Sequence, residues 1–322
     1  MTEAHAVATS AELLRVATDI SRDWARTGLS GGFLARHLDS GDELGFDLHR
    51  VLPLASVVKV PIALVVLDRI ARGVLDPGRP VQLHPARRTP GPSGVSLFAH
   101  PTTVAVRDLV TLALTISDNA ATDALLDLVS PAEVTEQLAA WGHRGLVVRH
   151  RIQELHDTVA GLPSTTSAYL MELAILGTAP GGGHPIEQLD PARANAGDAA
   201  GLADLLADVW ADRVADPRST AELRSALGHQ LTRHRFAGEL VSDLTTLRSK
   251  TGTFLNLRHE AGVCETAYGD RVVIVALTAS SVSAVEQPEA DAALGAAARA
   301  AVEALTTGRL ERGEESSVVK TN

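Results

Sequence analysis

The sequence predicts an α/β fold in which one antiparallel sheet, flanked by helices, carries a separate all-helical lobe. Strand-like alternation occurs near both chain ends, at 32–38 and 44–52 and again at 246–254, 258–268 and 271–280. Between these segments the apolar residues recur with helical spacing. The five strand segments can therefore share one five-stranded antiparallel sheet while the middle of the chain folds out as a lobe.

Taken in order, Thr9 or Ser10 can cap a first helix, with Glu12 in its first turn and Leu13, Val16, Ala17, Ile20 and Trp24 on one face. Two strands follow, joined by the polar turn Asp39 to Asp42. Residues 55–72 are apolar nearly all round, which predicts a buried helix. Residues 76–103 are rich in Pro, Gly and Arg and read as loop; helices are predicted at 105–116, 119–129, 131–141 and 166–176. Residues 143–164 look irregular, and 177–201, with the run Gly-Thr-Ala-Pro-Gly-Gly-Gly-His-Pro, look like a surface insertion. Helices resume at 201–213 and 219–229, and an Ala-rich helix at 288–306 starts on Pro288. Residues 1–54 and 231–308 then make the α/β lobe, 55–230 the helical lobe, and 309–322 a disordered tail.

Composition narrows the function. The 322 residues are 45% hydrophobic, enough to bury a sizeable core, but only 3% aromatic, so Leu, Val and Ala must fill it. The net charge of −10 argues against a nucleic-acid partner. The single cysteine, Cys264, sits in an apolar strand-like run and cannot form an intrachain disulfide. The first residues lack a basic stretch followed by an apolar one, and the most apolar run, 51–67, is broken by Lys59 and Pro61. The expectation is a cytoplasmic protein without a membrane span. The twelve histidines are scattered without metal-ligand spacing, and no phosphate or dinucleotide fingerprint occurs, so no metal or cofactor is expected.

Three short motifs carry chemistry. In Ser56-Val57-Val58-Lys59 the two polar residues are three apart, on one helical face. Pro61 is tolerated only in a first turn, so the helix must begin close to Ser56, with the hydroxyl at its positive end. An ammonium in so apolar a run is poorly solvated, which lowers its pKa and makes Lys59 a candidate base for the hydroxyl. Ser117-Asp118-Asn119 falls at a break between helices, where Asp118 can cap the second. Lys250-Thr251-Gly252, followed by Thr253, lies on a strand; the lysine offers a cation to a carboxylate and the glycine permits close backbone approach.

The ordered set SxxK, SDN, KTG on helix, interhelical turn and strand resembles that of class A β-lactamases and penicillin-binding proteins, and the resemblance spans roughly residues 10–305. It implies the β-lactamase/transpeptidase-like fold and an acyl-enzyme on Ser56. It implies that Lys59 is a base, that Ser117 relays a proton to the leaving nitrogen, and that Asn119 holds the substrate amide and Lys59. Lys250 and Thr251 would bind a substrate carboxylate, and the Ser56 and Thr253 N–H groups would form the oxyanion hole. Arg258 is a candidate second cation. The substrate expected is a small carboxylate-bearing β-lactam or related amide or ester.

One departure stands out. The family's glutamate, which activates the deacylating water, precedes Pro, any residue, Leu and Asn. Here the stretch reads Arg151-Ile152-Gln153-Glu154-Leu155-His156. Matching Leu155 to the family leucine puts Ile152 at the glutamate position, His156 at the asparagine position and Glu154 two residues late. Either the loop is re-registered so that Glu154 serves, or the base is absent, and the reading favours absence. An acyl transferase, a D-alanyl peptidase-like enzyme or a β-lactam-acylated binding module are therefore alternatives to a hydrolase.

Overall fold

A computed structural model describes residues 5–179 and 183–311. The chain opens with strand β1 (Ala6–Ala8), helix α1 (Ala11–Arg26), strands β2 (Leu29–His37), β3 (Glu43–Phe46) and β4 (Leu52–Pro53), a 3-10 turn at Ala55–Val58, and helix α2 (Lys59–Ala71). Strands β5 (Pro80–Leu83) and β6 (Thr102–Ala105) form a small hairpin-like pair beside helices α3 (Val106–Thr115), α4 (Asn119–Leu126) and α5 (Pro131–Ala140). Helices α6 (Ile152–Ala160) and α7 (Ser167–Leu176), strand β7 (Ala196–Gly197), and helices α8 (Ala199–Trp210) and α9 (Pro217–Gly228) complete the middle. The chain returns through α10 (Phe236–Leu240), β8 (Thr245–Phe254), β9 (Leu257–Thr266), β10 (Arg271–Ser280) and α11 (Pro288–Glu311).

The main sheet is antiparallel in the order β1-β3-β2-β10-β9-β8. It therefore has six strands where five were expected. The extra one, β1, is only three residues long and too short to show a period. Alternation on β10 divides the core cleanly. Val272, Ile274 and Ala276 pack with α1 and α11, whereas Val273, Val275 and Leu277 pack with α8 and the helical lobe. Trp24 of α1 makes edge-on contacts with Phe33 and Phe46, at centroid separations of 5.6 and 5.1 Å. That cluster concentrates much of the sparse aromatic content in one place. Ser10, rather than Thr9, caps α1, its Oγ accepting from Leu13 N at 3.2 Å.

Helix α2 is the axis of the lobe, and residues 59–68 are all buried, as its nearly all-round apolar sequence predicts. Two segments differ from expectation. Residues 143–164 are not wholly irregular, because α6 occupies their second half. Its start is hidden from sequence because its cap is distant: Asp123 of α4 accepts from Ile152 N and Gln153 N at 2.7 and 2.8 Å. Within 177–201, residues 194–197 are buried and do not belong to a surface excursion. Ala196 and Gly197 pair with β4, and Asn195 O accepts from Leu54 N at 2.8 Å. Pro180 to Gly182 lie outside the described residues, as does the tail from 312 onward; the predicted tail's first residues, 309–311, still belong to α11. No helix among the described residues is long and apolar enough to cross a membrane. Cys264 is buried in the core, as expected.

One buried histidine ties the sheet to the segment before Ser56. His259 on β9 is fully buried; its Nε2 donates to Pro53 O at 2.8 Å and its Nδ1 accepts from Thr278 N at 2.9 Å. Accepting a backbone N–H requires neutral imidazole, and burial lowers its pKa from 6.5 to about 4. The unfolded chain therefore binds the proton first as pH falls, so stability contributed by this group is full above 6.5 and is lost progressively towards 4. Urea unfolding at pH 7 and pH 5 should differ by about 2 kcal/mol from this residue, and His259→Gln should flatten that part of the profile.

Candidate active site

The three motifs meet where the helical lobe abuts β8. The nucleophile candidate Ser56 sits in the 3-10 turn, and the α-helix begins three residues later at Lys59. Pro61 falls in its first turn, where its missing N–H leaves no bond unmade. Ala55, immediately before the serine, has φ 45°, and Ser117 has φ 59°. Both are left-handed conformations that cost a non-glycine residue about 1 kcal/mol or more and persist only where packing imposes them.

Lys59 is fully buried. Its Nζ donates to Ser117 O at 2.6 Å and Asn119 Oδ1 at 2.8 Å, and lies 3.1 Å from Ser117 Oγ. Burial lowers its pKa to about 7, although Asp118 and Asp123 pull the other way. A neutral amine fits this set: its two N–H groups satisfy the two obligate acceptors, and its lone pair remains for a hydroxyl. The turn is itself anchored. Asp118 accepts from Ala121 N, Val95 N and Ser96 Oγ, capping α4 as its sequence predicts, and Asn119 Nδ2 donates to Pro90 O.

The KTG strand approaches from the other side. A Cβ on Gly252 would stand 3.0 Å from Leu54 O and 3.2 Å from Val57 N, so glycine is what lets β8 press against the turn that carries Ser56. Lys250 is buried, and burial together with the Lys59 amine lowers its pKa well below the ordinary value. Thr251 N and Oγ1 both donate to Gln230 Oε1. Thr253 is exposed beside the serine, and with Ser56 and Asn119 it borders a cavity of about 300 Å3.

Two residues lie elsewhere than the sequence reading would place them in a working site. Arg258 stands opposite Thr253 in the strand register, but its guanidinium donates to the carbonyls of Leu255, Leu257 and Val285, away from the motifs. Glu154 is exposed, and its Oε1 accepts from Arg151 N at the start of α6. Its carboxylate is thus committed to the helix end, and Glu154 does not line the cavity.

Three contributors escaped the sequence reading. Arg235 is 2% exposed. It donates to Thr253 Oγ1 at 2.8 Å, to Gly252 O and to His259 O, while Asp291 holds its Nε at 2.6 Å. It is the second cation behind the KTG strand, and only the paired Asp291, far along the chain, could have marked it. Gln230 and Gln188 give no motif signal at all. His156 lines the cavity, its Nε2 is buried without a hydrogen-bond partner, and burial lowers its pKa despite Asp123, Asp157 and the Pro90 carbonyl.

Residues 15–305 match the Beta-lactamase enzyme family. The chain belongs to that family. A protein of Streptomyces cacaoi described as "Beta-lactamase regulatory protein BlaB" is 44% identical over 285 residues, which cover 84% of this chain and 91% of that protein. Among solved structures, PBP-A superimposes with a TM-score of 0.74 at 19% identity, covering 93% of this chain and 97% of its own. An ancestral class A β-lactamase superimposes with a TM-score of 0.71 at 21% identity, covering 90% and 99%. The fold is thus that of class A β-lactamases, and family membership supports a serine hydrolase acting on β-lactams. No group of three or more metal-ligating side chains is found among the described residues.

Proposed function

We propose that the protein is acylated on Ser56 by a β-lactam or a related amide bearing a carboxylate, and that it releases the acyl group slowly enough for the adduct to act as a signal. Ser56 Oγ attacks the carbonyl carbon, the C–N bond breaks, and the hydroxyl proton passes to the Lys59 amine. Ser117 Oγ, 3.1 Å from that amine, relays a proton to the leaving nitrogen. Lys250 and Arg235 supply the positive field for the carboxylate, and Thr251 and Thr253 the hydroxyls beside it.

The observation that carries slow release is the wall of the cavity facing Ser56. Where a hydrolytic carboxylate would be needed stands Ile152, buried and followed by Leu155 and Val159 along the same wall. Glu154 caps its own helix instead. The regulatory relative at 44% identity supports the same reading. Intact-protein mass spectrometry after mixing with benzylpenicillin should show one adduct on Ser56 that persists for many minutes. Ile152→Glu should shorten its life by tenfold or more, and Ser56→Ala should show none. Prompt multiple turnover by the wild-type protein would remove the slow-release reading.

Acylation needs the Lys59 amine unprotonated. Its rate should therefore rise with pH through a midpoint near 7, the value set by burial, and flatten above about 8. Lys59→Arg, which stays protonated, should lose about 100-fold or more across the range. A flat profile measured by stopped-flow would exclude this lysine as base.

A second reading, steady hydrolysis, is favoured by the unpartnered Nε2 of His156 on the same cavity. Neutral imidazole there can take a proton from water. Under this reading His156→Ala lengthens adduct lifetime about tenfold or more; an unchanged lifetime leaves slow release as the better account.

A further inference from the structure

A second cavity, of about 280 Å3, lies between the segment after β5, helix α4 and the start of α6. It shares no lining residue with the cavity beside Ser56. Leu83, Ala86, Ala120 and Ala124 supply its apolar lining. Its charged lining is three arginines, Arg87, Arg88 and Arg151, against two aspartates, Asp123 and Asp127.

Both aspartates are already occupied. Asp123 Oδ1 accepts from Ile152 N, and its Oδ2 from Gln153 N and Thr89 Oγ1. Asp127 pairs with Arg151. Among the described residues no carboxylate pairs with Arg87, which is exposed, or with Arg88. Arg88 donates through Nη2 to Phe98 O, while its Nη1 is buried with no hydrogen-bond partner. A buried guanidinium N–H without an acceptor is costly. Turning Nη1 toward a ligand in the cavity gives up no bond that this nitrogen now makes.

We propose that this cavity is a second ligand site, for a small organic oxyanion, and that Arg87 and Arg88 hold the charged group while a short apolar stem lies against Leu83, Ala86 and the alanines of α4. Guanidinium forks match the paired oxygens of a carboxylate or a phosphate monoester, which share this chemistry. The surplus of arginine over aspartate in the lining attracts an anion of either kind. The site does not depend on acylation of Ser56, although it adjoins the second motif: Pro90, which also lines it, accepts from Asn119 Nδ2 at 2.9 Å.

Phenyl phosphate, benzoate and phenol share a stem and differ in the charged group. Isothermal titration calorimetry on the full chain should show saturable binding of one or both anions and none of phenol. Tighter binding of phenyl phosphate identifies phosphate monoesters as the class, and tighter binding of benzoate identifies carboxylates. Phenylglyoxal labelling, read by peptide mass spectrometry, locates the bound anion. With the anion at about ten times its dissociation constant, mass action should slow modification of Arg87 and Arg88 by about tenfold. The exposed Arg15 and Arg50 should react unchanged. Arg88→Lys keeps the charge but loses the fork, and should weaken binding about tenfold or more. Arg87→Ala, at an exposed position, should also weaken binding and leave the melting temperature unchanged. Binding that leaves both arginines fully reactive, or that survives both substitutions unweakened, would put the anion elsewhere and overturn the proposal. No saturable binding of either anion would overturn it too. None of these readouts involves a Ser56 adduct, so this proposal and the acylation reading fail separately.

Discussion

A buried lysine amine with three oxygen neighbours is the contact on which the rest of the site depends. Lys59 has no solvent to stabilise its charge, so its position is set by Ser117 O, Ser117 Oγ and Asn119 Oδ1. Those atoms belong to the turn between α3 and α4, held in turn by the Asp118 cap and the contacts of Val95 and Ser96. One side chain thereby couples the turn bearing the nucleophile to the helical lobe. Losing either obligate acceptor would leave a buried donor unmatched, which costs about 1–3 kcal/mol. The same desolvation that makes the group demanding structurally brings its pKa to about 7, where a neutral amine is accessible.

The opposite wall is fixed by absence of a side chain. Gly252 lets β8 come within van der Waals reach of Leu54 and Val57, and Arg235 stiffens the strand by donating to Gly252 O and Thr253 Oγ1. Burial, and after it the nearby Lys59 and Arg235, disfavours the charge on Lys250. Glu260 offsets part of this from β9, accepting from Ser249 Oγ and Phe236 N.

Much of this was legible in the sequence, and the reason is locality. SxxK, the Asp118 cap and the KTG alternation are each encoded within a few residues, and the strand periods of β8 to β10 reflect the two faces that they bury. What stayed hidden depends on partners distant in the chain. The start of α6 relies on Asp123, the burial of Arg235 on Asp291, and the seat of residues 195–197 on Leu52 to Leu54. Arg258 shares a sheet face with Thr253, but a shared face does not fix where so long a side chain ends. Its side chain turns to the carbonyls at the far end of the hairpin.

The short helix α6 shows how the same scaffold can change its chemistry with few substitutions. Its backbone is held by Asp123 from α4 and by Gln188 from the segment after α7. The helix is thus positioned independently of what its inward side chains are. Ile152 and Leu155 on that inward face make the cavity beside Ser56 apolar, while Glu154 and Asp157 fall on the exposed one. Helical spacing permits this separation because adjacent positions point about 100° apart. An acidic residue moved by two positions is consequently removed from the reaction altogether, even though the loop keeps its place beside Ser56. Under the acylation proposed for Ser56, whether the acyl group would be cleared or retained turns on the inward positions of one two-turn helix, and not on Ser56, Lys59 or Ser117.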